Sequence, residues 1–220
     1  MINITLMIHA LPQLIQGAWI TLQIATLAWF LGFTAGTLLG FLQTRSMPFL
    51  QWVIATYVTF IRGTPMLIQI TFFYYVVPSL GITISSFWTS VIAIGINSSA
   101  YISQIIKSGI NAVGVEQVEA AQVLGFTPLQ TVRYIVLPQA LRITLPSLSG
   151  ECITLIKDSS LASVIGVMEL YKEVRALMNQ TYDVISVFCL AALLYLIMTS
   201  LTSCIFYFLE RKMNSHVKHP

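Results

Sequence analysis

The chain has 220 residues, 56% of them hydrophobic and only 9% charged, with a net charge of +3. A soluble domain carries roughly a quarter charged residues, so this composition excludes an ordinary well-solvated globule. The small net charge gives no footprint for nucleic-acid binding.

The charges are clustered. None occurs from Met1 to Thr44, and none from Gly63 to Ile106. Helices of about 20 apolar residues cross a hydrocarbon layer of roughly 30 Å. The runs are continuous rather than alternating, which favours helices over barrel strands. Taken in order, the first predicted span covers about residues 14–42 and stops at Gln43-Thr44-Arg45. It lacks a basic leader and a cleavage site, so it reads as a retained span. Gly32-Phe33-Thr34-Ala35-Gly36 inside it reads as a small-residue packing surface.

The second span lies within 47–77 and is interrupted at 62–65 by Arg62-Gly63-Thr64-Pro65. Thr64 suits an N-cap and Pro65 a first helical position. Residues 47–61 then form a helix near the interface, and the crossing proper begins at Pro65. The third span is about 87–106 and the fourth about 139–156, the latter expected to kink around Pro138, Pro146 and Gly150. The fifth is about 184–209, closed by Glu210-Arg211-Lys212. The expectation is one all-α transmembrane domain over residues 1–220.

Lysine and arginine set the orientation. With the amino terminus outside, Arg45, Arg62, Lys107, Arg133, Arg142, Arg211, Lys212 and Lys218 fall toward the cytoplasm, and only Lys157, Lys172 and Arg175 fall outside. The outer connector, 157–183, ends in an amphipathic stretch with apolar Val167, Met168, Leu170, Val174 and Leu177. Glu169 reads as a surface residue of that stretch. Cys152, Cys189 and Cys204 sit in apolar segments without metal-ligand spacing and read as buried thiols. His9, His216 and His219 lie near the termini and suggest neither a metal site nor a catalytic dyad.

Between the third and fourth spans, about 111–138, lies a more polar stretch, VEAAQVLGFTPLQTVRYIVLP at 118–138. Glu119 to Leu124 are mostly helix formers. Gly125 offers a left-handed cap, Thr127 an N-cap, Pro128 a first helical position and Gln130 a capping-box partner. Pro138 is expected to end the second helix. The result is helix, turn, helix, with Ala120 and Ala121 leaving room for another surface. A DNA-binding module lacks the basic face such binding needs. A plain connector remains open from local physics alone.

Glu119-Ala120-Ala121, Gly125 and Leu137-Pro138 resemble the EAA motif of ABC importer membrane subunits. Phe60-Ile61-Arg62-Gly63-Thr64-Pro65, Pro138-Gln139-Ala140-Leu141-Arg142 and Lys157-Asp158-Ser159-Ser160-Leu161 are similar to the polar amino-acid permeases of the histidine, glutamine and arginine type. The resemblance spans nearly the whole chain. It implies a type I ABC importer permease fold in a bacterial inner membrane. The EAA segment would be a coupling helix on a cytoplasmic ABC ATPase that carries ATP and Mg. The resemblance also implies a second permease copy or paralogue and an extracytoplasmic solute-binding protein. This chain shows no GxxxxGK[ST] phosphate cradle of its own.

Polar residues at membrane depth mark pathway candidates. These are Gln69, Asn97, Tyr101, Gln104, Glu151, Lys157 and Asp158. A zwitterion needs a cation for its carboxylate and an acceptor for its ammonium group. Lys157 with a nearby carboxylate could supply both, or could pair with Asp158 or Glu151 to hold a kinked helix. Arg62 reads as an interfacial anchor. The chain departs from the family pattern in having Gln104 where an acid is usual, Glu116 where glycine is usual and Gly150 where asparagine is usual. Cationic amino-acid specificity therefore does not transfer simply. A self-sufficient secondary transporter or channel is the competing class, and it would need a coupling-ion site.

Overall fold

The computed structural model describes residues 3–45 and 47–214. Lys218, His216 and His219 lie outside the described residues. No strand occurs among those described.

Helix α1 is Ile4–Gln43, 40 residues, with Asn3 accepting from the Leu6 N–H as its N-cap. At 1.5 Å per residue it is about 60 Å long, so it overshoots a bilayer core. The expected span 14–42 is its inner part. α2 is Pro48–Gly63 and α3 is Met66–Tyr75, followed by a 3-10 turn at Val77–Leu80. The axis bends by 100° between the two segments, so the expected interruption is a true change of direction. Its chemistry differs from the expectation. Pro65, not Thr64, is the N-cap residue of α3. The Thr64 hydroxyl instead donates back to Phe60 O at 3.0 Å and accepts from Gln69 Nε2 at 2.7 Å.

α4 is Ser86–Asn111. It packs against α1 along a ladder of small residues. Cβ atoms on Gly32, Gly36 and Gly40 would lie 2.8 Å from Ser98 Cβ, 2.7 Å from Ser99 O and 2.6 Å from Ser103 O. Only glycine permits that approach, so the small-residue reading of α1 holds.

A hairpin follows. α5 is Val115–Val123, α6 is Pro128–Thr131, a π-turn covers Val132–Val136 and α7 is Leu137–Asp158. Pro138 does not end the second helix. The π-turn carries the chain from α6 into α7 through a Leu137 N–H bond to Val132 O, and Pro138 sits in the first turn of α7, where its missing N–H is tolerated. α7 also runs unbroken as a helix through Pro146. A 3-10 segment, Ser159–Ile165, leads to α8, Leu170–Thr181, and then to α9, Val184–Asn214.

Among the described residues, three helices, α1, α4 and α9, are long and apolar enough to cross a membrane, and the bent α2–α3 pair makes up to four. α7 falls outside that set. Its length suffices, but Arg142, Glu151, Lys157 and Asp158 lower its hydropathy. Cys189 and Cys204 are exposed on α9 rather than buried, because the outer face of that helix has no protein against it; Cys152 is half-buried, and all three are free thiols.

The two ends of the bundle are distinct. Asn3 N donates to Ser186 Oγ at 2.7 Å and Gln13 Nε2 to Glu173 Oε2 at 2.6 Å, which gathers the start of α1 with α8 and the start of α9. At the other end, Gln104 Nε2 donates to Gln43 Oε1 at 3.1 Å. The hairpin projects from that second end.

Candidate functional site

Two sites emerge. The first is the tip of the hairpin. α5 closes in a Schellman motif, with Gly125 N–H bonded to Gln122 O and Phe126 N–H to Ala121 O, each at 3.0 Å. Gly125 has φ +79°, and a Cβ there would meet nothing within 4 Å. Backbone strain, not space, is therefore what favours glycine. Thr127 and Gln130 form a reciprocal capping box that starts α6. Both expected cap assignments stand.

Around this turn the surface is apolar. Val123, Leu124 and Leu129 are 88%, 76% and 77% exposed. A lone exposed apolar residue is ordinary, but three within seven residues of one turn make it a candidate interaction surface. Glu119, Ala120 and Pro138 are exposed, whereas Ala121 is buried and turned into the hairpin. Ala121 thus serves the internal packing of the hairpin rather than an outside surface. The apolar trio escaped notice in the sequence because exposed and core leucines look alike there.

The second site is a cavity of about 350 Å³ at the α2 break, between α4 and α7, lined by Arg62, Tyr101, Gln104, Ser108, Thr144 and Ser147. The Arg62 guanidinium stands 5.0 Å over the Tyr101 ring. Arg62 is therefore a cavity residue, not only the anchor its position suggested. Glu151 accepts from Ser98 Oγ at 2.8 Å and lies within electrostatic reach of Arg62. Gln104 is held by Gln43 Oε1 at 3.1 Å.

The other pathway candidates separate. Gln69 is buried, and its amide nitrogen donates to Ile61 O at 2.8 Å and to Thr64 O at 3.2 Å. Asn97 Nδ2 closes the set onto Gln69 Oε1 at 2.9 Å. This pair clamps the α2–α3 break. Lys157 is exposed and Asp158 half-buried at the far end of α7; the two lie within electrostatic reach of each other, without salt-bridge contact among the described residues.

Glu169 departs most from expectation. It is fully buried, at 0% exposure, not on the surface. Its carboxylate caps α8 by accepting from the Tyr171 and Lys172 N–H groups, both at 2.8 Å, and takes the Tyr195 hydroxyl at 3.3 Å. Burial pushes its pKa up to about 7, and these hydrogen bonds only partly oppose that.

Residues 30–215 match the family described as binding-protein-dependent transport system inner membrane component. The chain belongs to this family. Within it, the chain is 34% identical to the probable amino-acid ABC transporter permease protein YckA of Bacillus subtilis (strain 168), covering 98% of this chain and 95% of the relative. It is 36% identical to the glutamine transport system permease protein GlnP of Escherichia coli (strain K12), over 93% of this chain and 94% of the relative. The L-cystine transport system permease protein TcyB of Bacillus subtilis (strain 168) is 34% identical over 94% and 88%.

A crystal structure of an amino acid ABC transporter with histidines superposes with a TM-score of 0.88 at 33% identity, covering 96% of this chain and 99% of that one. The inward-facing MetNI methionine ABC transporter reaches 0.79 at 20% identity, a likeness of fold alone. The architecture is the all-helical fold of type I ABC permeases, and the family resemblance read from the EAA segment is confirmed.

Proposed function

We propose that this chain is the membrane subunit of an ATP-driven amino-acid importer, and that it couples to a cytoplasmic ABC ATPase through the hairpin. The observation that carries the reading is the Schellman turn at Gly125, which presents Val123, Leu124 and Leu129 to solvent at one end of the bundle. An apolar knob on a rigid double helix fits a groove on a soluble partner. The continuous path from α6 through the π-turn into α7 lets a rigid-body movement of the partner reach the spans. ATP and Mg²⁺ belong to the partner. ATP binding closes the ATPase pair and opens the pathway outward, and hydrolysis resets it.

In this reading α7 is a further span, giving five, and the amino terminus faces outside with the hairpin in the cytoplasm. Two copies, or one copy and a paralogue, enclose the pathway, and a solute-binding protein delivers substrate. The cavity at Arg62 and Tyr101 lies on that pathway. Arg62 offers a cation to the substrate carboxylate, and Glu151 offers an anion to its ammonium group. Gln104 supplies a neutral polar contact. Lys157 and Asp158 flank the outer end, and the clamp of Gln69 and Asn97 shapes the wall. The amino-acid class is supported by the names of the relatives.

The test is purification of the tagged chain from native membranes, identification of its companions by mass spectrometry, and uptake of labelled amino acids by liposomes holding the purified assembly. The expected result is a stoichiometric ATPase and uptake that requires ATP. A chain that purifies alone and moves amino acids without ATP would contradict the reading.

A further inference from the structure

A second cavity, of about 480 Å³, shares only Thr144 with the Arg62 cavity and otherwise has a lining of its own. It is a groove between the end of α1 and the junction of the π-turn with α7, floored by Ile106 and Ile110 of α4. On α4 these two residues face roughly opposite to Tyr101, Gln104, Ile105 and Ser108, which line the Arg62 cavity. The groove therefore opens on the outer side of the bundle, where a membrane subunit meets its bilayer.

Its walls are mostly hydrocarbon, from Phe41, Val132, Val136 and Leu141, and its rim is cationic. Arg45 lines it, with the guanidinium 4.5 Å over the Phe41 ring. Among the described residues no carboxylate lines the groove, and residues 1–115 contain neither Asp nor Glu. Arg45 makes no ion pair among the described residues. Thr37, on the same stripe of α1 as Phe41 and Thr44, has a buried hydroxyl without a hydrogen-bond partner, unlike Thr34 nearby, which donates to Phe30 O. A rotation about χ1 would let Thr37 donate into the groove.

The depth of the rim is also marked. Gln51 Nε2 donates to Gln43 O at 3.2 Å and Arg45 O at 2.7 Å, which holds the start of α2 beside the end of α1. Phe49 and Trp52 project outward there, as aromatic residues do at the headgroup level. A cation at headgroup depth above a hydrocarbon trough matches one chemical class.

We infer that this groove binds an anionic phospholipid of the adjoining leaflet, with its phosphate on Arg45 and an acyl chain along Ile106, Ile110 and Val136. The inference depends on the membrane reading of the chain but not on the substrate or the ATPase.

The test places the purified assembly, with whatever subunits accompany it, in nanodiscs of phosphatidylglycerol and phosphatidylcholine at one to four. Native mass spectrometry then reads the lipid retained per permease chain. The wild type is expected to raise the ratio of retained phosphatidylglycerol to phosphatidylcholine roughly fivefold over bulk, to a share of about 55%, the effect of one basic side chain at the surface. Arg45→Gln is expected to return that share to bulk, and Val132→Trp, which fills the trough, to lower retention of both lipids. Bulk proportions in the wild type, or enrichment undiminished in Arg45→Gln, would overturn the inference. So would a photoreactive side chain at Ile110 that crosslinks to protein instead of lipid. If Val132→Trp fails to fold, the Arg45→Gln comparison decides alone.

Discussion

Asn97 Nδ2, on α4, donates at 2.9 Å to Gln69 Oε1, on α3 just past the break between α2 and α3. The Gln69 amide nitrogen simultaneously serves the freed carbonyls of Ile61 and Thr64. A helix broken inside a bilayer needs such partners, since no water is there to supply them. Gln69→Leu removes them all and leaves buried polar groups unmet at roughly 1–3 kcal/mol each. The expected outcome is a lower thermal midpoint in detergent and weak expression. A fully stable Gln69→Leu protein with only a raised KM for transport would show Gln69 to be a substrate ligand instead.

Glycine-to-alanine substitutions should divide by place. At Gly36 and Gly40 a Cβ would meet the carbonyl oxygens of Ser99 and Ser103, which belong to the α4 backbone and cannot swing aside. Overpacking of this kind costs about 1–3 kcal/mol. At Gly150 a Cβ would meet nothing within 4 Å. The first two variants are expected to melt below the wild type, and Gly150→Ala, in a helix interior with open space, at or above its midpoint. Equal midpoints for all three would contradict the packing account of α1 and α4.

Glu169 makes stability depend on pH. Its folded-state pKa of about 7 lies above the ordinary value of 4.5. Between those values the folded state holds more protons than the unfolded state, so stability falls as pH rises. The contribution is fully present below the ordinary value and lost as pH climbs through about 7. It amounts to up to about 3 kcal/mol. Melting curves from pH 4.5 to 8 are expected to show this decline in the wild type and a flatter profile in Glu169→Gln. An unchanged slope in Glu169→Gln would assign the pH dependence to another group.

Arg62 and Tyr101 predict a transport defect without a folding defect. Arg62 is exposed, its guanidinium rests on one ring, and Glu151 keeps its Ser98 hydrogen bond without it, so Arg62→Ala strands no buried hydrogen-bond partner. Uptake is expected to fall severalfold at unchanged insertion and thermal midpoint. Arg62→Lys is expected to restore it only in part, because an ammonium stacks less well than a planar guanidinium. Normal uptake by Arg62→Ala would remove the cavity from the pathway.

What the sequence disclosed was local. The charge-free runs marked α1 and α4, and Gly125, Thr127 and Gln130 announced the hairpin because caps are written in adjacent residues. What it concealed was long-range. Glu169 looked like a surface residue because the groups that bury it come from afar: Thr21, whose hydroxyl takes the Leu170 N–H, and Tyr195. Pro138 read as a stop because a π-turn that delivers the chain past it has no sequence mark. Gln69 read as a pathway residue because polarity at membrane depth has the same look whether it serves a ligand or a broken backbone.

The coupling claim rests on the shape of one turn, and its most direct test is Gly125→Val. With φ at +79°, a β-branched residue brings left-handed strain of at least about 1–2 kcal/mol into a turn with room for its side chain. We would purify tagged wild-type and Gly125→Val chains from native membranes and compare the ATPase that accompanies each, with Gly125→Asn as the variant that tolerates this backbone. The account predicts equal insertion of all three, an ATPase lost or much reduced in Gly125→Val, and one retained in Gly125→Asn. A full complement of ATPase on Gly125→Val, with normal uptake, would contradict the assignment of the hairpin as the coupling element.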